Sequence, residues 1–113
     1  MFGFLKNFGS NSQDIDAKTA YAQLKGENPP LLLDVRSKEE FRDAHIAGAK
    51  LIPLDELSRR QAELPKDRPI LCICRSGSRS GMAVGQLKAA GFNVTNISGG
   101  LISWQMAGLP LKK

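Results

Sequence analysis

At 113 residues the chain is long enough for one domain with a modest core and too short for two. An apolar content of 42% and a charged content of 24% are those of an ordinary globular protein, and no run approaches the roughly 18 apolar residues that a membrane span needs. The net charge of +5 is uneven: residues 1–67 carry ten Lys/Arg against eleven Asp/Glu, while residues 68–113 carry six basic residues and no acid. That positive half favours small anions and thiolates. Its basic residues are too dispersed, and too free of interleaved aromatics, for a nucleic-acid surface.

The first thirteen residues, MFGFLKNFGSNSQ, have no period that buries a face, yet they hold Phe2, Phe4 and Phe8. They read as a flexible Phe-containing arm outside the domain, packing on that domain or on nothing, with docking on a membrane surface or partner as the alternative. The stretch is too short and lacks the flanks of a signal peptide, so the expected location is the cytoplasm. The domain itself is expected over 14–113.

From Asp14 onward helices and strands alternate. Asp16 caps a helix to about Lys25, with Ala17, Ala20, Tyr21 and Leu24 on one face, and Pro29-Pro30 stop it. LLLDV is a continuous apolar run, as a strand buried on both faces requires. Ser37 with Glu40 forms a capping box that opens a short helix to about Ala44. AKLIP reads as the next strand, LDELSRRQAEL as a helix ended by Pro65, and PILCI as another buried strand. A helix follows from about Ser80 to Ala90, with Ala83, Val84, Leu87 and Ala90 as its stripe and Gly91 as its C-cap. FNVTNI is the final strand, Gly99-Gly100 a tight turn, and LISWQMA the last helix. Alternation at this spacing implies parallel pairing through right-handed crossovers. The predicted fold is α/β and three-layered, with a central parallel sheet of four to five short strands.

Ligands of such sheets bind beyond the carboxyl ends of the strands. Cys74 stands at such an end and opens the run Cys74-Arg75-Ser76-Gly77-Ser78-Arg79 before the next helix. A strand-to-helix turn aims successive N–H groups into one concavity, and the helix adds its own unpaired donors. Gly77 supplies the backbone freedom to curl the loop, and Ser76, Ser78 and Ser80 supply hydroxyls without bulk. Arg75 and Arg79 are expected to give charge-assisted bonds to an oxyanion. A thiol in that setting has its pKa drawn down, and a thiolate in an anion cradle suits covalent transfer of an anionic group.

The other candidates read as scaffold. Cys72, one residue from Cys74, is expected to be a small core residue, with a resolving thiol as the alternative. Two cysteines and a single histidine give no zinc site. His45 reads as a turn or packing residue, Asp34 and Arg36 as a hydrogen-bonded brace near the site, and Trp104 as the residue that packs the last helix onto the sheet.

Four stretches in order, LLLDVRSKEEF (31–41), HIAGA (45–49) with IP after it, CRSGSRS (74–80) and ISGGLISWQMAGLP (97–110), resemble the rhodanese-like sulfurtransferase family, single-domain type, over roughly Asp14 to Leu111. The resemblance implies a catalytic cysteine, matched by Cys74, that carries a persulfide, with Arg75, Ser76, Gly77, Ser78 and Arg79 as the substrate-binding loop. No cofactor and no metal are expected. The resemblance also implies a small anionic donor such as thiosulfate, and cyanide, a thiol or a protein as acceptor. Related phosphatases and arsenate reductases on this fold use five residues between cysteine and arginine. Here four separate Cys74 from Arg79, and Ser80 stands where those enzymes need arginine, which favours sulfur transfer over phosphoryl transfer. A persulfide-carrier module and a non-catalytic regulatory domain are the alternatives within the family.

Overall fold

The computed structural model describes residues 14–113, and the arm expected over 1–13 lies outside the described residues. Its elements in chain order are α1 (Ala17–Leu24), β1 (Leu31–Asp34), α2 (Lys38–Asp43) and β2 (Lys50–Leu51). After a 3-10 turn at Leu54–Glu56 come α3 (Leu57–Arg60), a second 3-10 turn at Gln61–Glu63, then β3 (Ile70–Ile73), α4 (Ser78–Ala89), β4 (Val94–Asn96) and α5 (Gly100–Met106).

The sheet runs β2-β1-β3-β4 and every pair is parallel. Leu31 to Asp34 pair in register with Ile70 to Ile73, and Ile70 to Cys72 with Val94 to Asn96. A single parallel bridge from Ile15 to Ile97 extends the β4 edge. Both central strands are covered on two faces, which is why each reads as unbroken apolar sequence. Leu33, Ile70 and Cys72 face α3 and α4, joining Leu57, Ala83, Val84, Leu87 and Phe92. Leu32, Leu71 and Ile73 face the other way, joining Ala17 and Ala20 of α1 and Leu101 and Trp104 of α5. This is the three-layered α/β architecture the alternation implies, with four strands.

The local signals explain most of the elements. Asp16 accepts a bond from the Thr19 N–H at 2.8 Å, capping α1. The Ser37–Glu40 capping box is complete: Glu40 N–H donates to Ser37 Oγ and Ser37 N–H to Glu40 Oε1. Three expectations need correction. The helix expected over 54–64 is one α-turn between two 3-10 turns. Leu54 and Leu57 stand three apart, so the tighter coil stacks both toward the core that holds Leu57 fully buried. The strand expected over 49–53 keeps regular pairing only at Lys50–Leu51; beyond it Ile52 N–H still donates to the Asp34 carbonyl and Leu54 N–H to the Val35 carbonyl, but the chain there already bends into the 3-10 turn at Leu54–Glu56. Helix α4 starts at Ser78 and not near Ser80, since Gly77 at φ +104° turns the chain directly into it.

Candidate active site

Cys74 follows the last residue of β3 and is buried, with 1% of its surface exposed. Two donors meet its sulfur: Gly77 N–H at 3.1 Å and Ser80 Oγ at 3.3 Å. Burial alone would raise the thiol pKa. It is outweighed by the Ser80 hydroxyl and by the N–H groups of Ser80, Gly77 and Ser76, so the thiol is drawn below its ordinary value. The lowering comes chiefly from hydrogen-bond donors on a curled loop and a helix start, and guanidinium charge is not a leading cause.

The opposite edge of the loop is held by α5. Leu101 N–H donates to the Cys74 carbonyl at 2.9 Å and Ile102 N–H to the Arg75 carbonyl at 3.1 Å. Gly100, at φ +57°, lets the helix start lie against those peptides, where a Cβ would come within 2.5 Å of both carbonyl oxygens. The unpaired N–H groups of one helix thus absorb the loop's acceptors. The N–H groups of the same loop are left to face the sulfur.

The family is settled by comparison with known proteins. The profile of the rhodanese-like domain matches residues 16–107, most of the chain. The chain belongs to the rhodanese-like domain family. A sulfurtransferase of Allochromatium vinosum is 35% identical over 99 residues, covering 87% of this chain and 92% of that protein. The putative sulfur carrier protein YrkF of Bacillus subtilis is 45% identical over 74 residues, which are 65% of this chain and 40% of that protein. The crystal structure of a rhodanese-related protein from Thermoplasma volcanium superposes with a TM-score of 0.82 at 33% identity, covering 88% of this chain and 96% of that one.

Within this rhodanese-like domain the residues singled out in sequence take different places. Arg79 belongs to the first turn of α4 and points across to α2, where its guanidinium holds both oxygens of Glu40, at 2.7 and 2.9 Å. Hydrogen bonding from Arg79 leads the causes that hold the Glu40 carboxyl down to about 2. Arg75 is exposed and makes no ion pair among the described residues. It borders a cleft of about 300 Å³ that Arg36, Glu40, Asp43, Leu101 and Ile102 also line. The two arginines therefore part: one braces the loop's far end, the other is exposed beside that cleft. Ser76 and Ser78 are exposed.

Asp34 and Arg36 form a buried two-pronged pair, with Arg36 Nη2 at 2.8 Å and Nε at 2.9 Å from the carboxylate. Arg36 also donates to the Ala44 carbonyl at 2.8 Å, so it ties β1 to the end of α2. His45 stacks on Phe41 with ring centroids 3.9 Å apart and bonds the Phe41 carbonyl through Nδ1. Trp104 is fully buried on the other face of the sheet, edge-on to Tyr21, and its N–H donates to the Pro110 carbonyl at 2.9 Å. Cys72 is buried without a disulfide, and burial pushes its thiol pKa up, which suppresses the thiolate. Sequence reasoning missed two residues. Glu40 stands out only as a helix cap, though it holds Arg79, and Asn96, at the end of β4, accepts from Ser80 Oγ at 2.6 Å. Both contacts bridge long chain separations that no local motif announces.

Proposed function

We propose that this domain moves sulfane sulfur from thiosulfate or a similar anionic donor to a thiophilic acceptor through a persulfide on Cys74. The observation that carries the reading is the pair of donors, Gly77 N–H and Ser80 Oγ, on a sulfur whose thiolate they favour. In the first half-reaction the Cys74 thiolate attacks the outer sulfur of thiosulfate. An S–S bond forms at Cys74, the sulfur–sulfur bond of the donor breaks, and sulfite leaves with the electron pair. In the second, cyanide or a thiolate attacks the outer sulfur of the persulfide, and the electron pair of that S–S bond returns to Cys74. Neither step needs a proton relay, because each leaving group departs as a stable anion.

The loop N–H groups of Ser76, Gly77 and Ser80 favour the thiolate at Cys74, the form that attacks the donor and that returns when the acceptor takes the outer sulfur. Arg75, exposed and next to Cys74 in the chain, draws in the anionic donor. Arg79 acts in this scheme by fixing the loop through Glu40. We place the reaction in the cytoplasm, in keeping with two cysteines that form no disulfide.

Intact mass after incubation with thiosulfate tests the reading. One added sulfur is expected, removed by cyanide with release of thiocyanate and absent in Cys74→Ala. No adduct and no thiocyanate would overturn thiosulfate as donor. The likeness to a putative sulfur carrier favours a second reading, in which Cys74 receives its sulfur from a protein persulfide. Loading from a cysteine-desulfurase persulfide, with none from thiosulfate, would select it.

A further inference from the structure

Ser80 Oγ has one proton and two acceptors. It lies 2.6 Å from Asn96 Oδ1 and 3.3 Å from Cys74 Sγ, and the whole side chain is buried. A hydroxyl that donates to the amide oxygen leaves the sulfur without that bond, and the reverse. Asn96, 6% exposed, is not free to turn its amide and end the competition. Its Nδ2 faces the Gly77 carbonyl and an Asp14 carboxylate oxygen, each at 3.4 Å, so a flipped amide would bring oxygen against oxygen on both sides. The competing acceptor is thereby fixed in place.

We propose that Ser80 and Asn96 form a two-position hydroxyl switch under Cys74, with Asn96 as the positioning residue. While Sγ is a neutral divalent sulfur, as thiol or persulfide, the Ser80 hydroxyl donates to Asn96 Oδ1. When the acceptor takes the outer sulfur, the S–S electron pair returns to Sγ, and the hydroxyl turns from Asn96 to meet that charge. No proton leaves Ser80. The switch therefore favours departure of the Cys74 thiolate over its persulfide, and it speeds the second half-reaction more than the first. This rests on the sulfur-transfer reading for its kinetic consequence, and on geometry alone for its effect on the thiol.

Besides Lys38, Glu39, Arg42 and Asp43 of α2 and Lys88 of α4, the elements around Cys74 carry the following charged and titratable groups. Cys72 lies on its own strand, Asp34 and Arg36 at the end of β1, Glu40 on α2, and Arg75 and Arg79 on the loop and first turn of α4. β4 and α5 carry no charged side chain, and Asp14 lies beyond Asn96. Changing Ser80 touches none of them, and changing Asn96 touches only Asp14, so the shift from Ser80→Ala, and the difference the Asn96 change makes with and without Ser80, report the hydroxyl.

The test uses the full 113-residue chain in a four-member cycle: unaltered, Ser80→Ala, Asn96→Leu and the double variant, with Cys72→Ala as common background. Rates of alkylation against pH give the Cys74 titration. Ser80→Ala is expected to move it up by about one pH unit, the tenfold effect of one bond to a charged sulfur. The same variant is expected to slow discharge of a preloaded persulfide to cyanide by about tenfold, while loading at alkaline pH is not slowed. Asn96→Leu is expected to move the titration down, and to do so only while Ser80 is present. Asn96→Ala serves in its place if leucine prevents folding. An equal shift from the Asn96 change with and without the hydroxyl would overturn the switch, as would a Ser80→Ala profile matching the unaltered one. Absence of any persulfide in the unaltered chain would refute the sulfur-transfer reading, and the alkylation cycle would still decide the switch.

Discussion

Replacing Gly100 by alanine pushes a methyl group into the backbone of the Cys74 loop. The added Cβ would stand 2.5 Å from the carbonyl oxygens of Cys74 and Arg75 and 2.6 Å from the Arg75 carbonyl carbon. That is roughly 1 Å inside van der Waals contact, and every near atom is backbone, so no side chain can rotate away. The position is also left-handed, at φ +57°, which costs an L-residue about 1–2 kcal/mol. Overpacking adds about 1–3 kcal/mol, giving roughly 2–5 kcal/mol in all. For a domain of this size that lowers Tm by about 10–30 °C.

The relief available is to lift α5 off the loop, which stretches the bonds from Leu101 and Ile102 N–H to the two carbonyls. A loop displaced by about 1 Å is expected to lose tenfold to a hundredfold in sulfur transfer. Urea unfolding and thiocyanate release on the same preparation measure both effects. Gly85→Ala is the control: it is a helical glycine with nothing within 4 Å, and it should gain up to about 1 kcal/mol. A Gly100→Ala protein with the Tm and turnover of the unaltered chain would refute the reasoning.

Other outcomes follow from the remaining contacts. Glu40 has its carboxyl lowered from 4.5 to about 2, so the stability it adds is present above about 4.5 and is lost as pH falls toward 2. Because Glu40 and Arg79 are each about a third exposed, this is worth about 1 kcal/mol, and Glu40→Gln should show a shallower acid limb in unfolding against pH. Cys72→Ala is expected to cost about 1 kcal/mol in urea unfolding and leave the cyanide-labile sulfur on Cys74 intact; loss of that sulfur would make Cys72 a participant. Trp104→Phe removes the bond to the Pro110 carbonyl and should destabilise by about 1–2 kcal/mol without altering thiocyanate production.

The strands and the helix caps were legible because their signals are short. LLLDV and PILCI announce burial on both faces, and Ser37 with Glu40 forms a box within one turn. The loop at Cys74 was legible for the same reason, since six adjacent residues carry the thiol, the glycine and the hydroxyls. What joins that loop to its surroundings was not. Arg79 and Glu40 stand 39 residues apart, and Ser80 and Asn96 stand 16 apart. Each of these residues has an ordinary local reason to be where it is, as a helix start, a cap or a strand end. Gly100 read as turn chemistry, whereas the space it leaves is defined by peptides of another element. The irregular coil over 54–63 was hidden because its leucine spacing fits both helix types.

The clamp of α5 on the loop has a consequence for the range of conditions over which the cradle persists. Carbonyls occupied on the outer edge leave the loop a single polarity inward, built from amide hydrogens that do not ionise in water. In the proposed reaction the backbone's own contribution to anion affinity is therefore set by peptide orientation and stays level from mild acid to mild base. The whole acid–base sensitivity of transfer then falls on one sulfur atom, and salt should weaken donor capture at Arg75 without loosening the cradle itself.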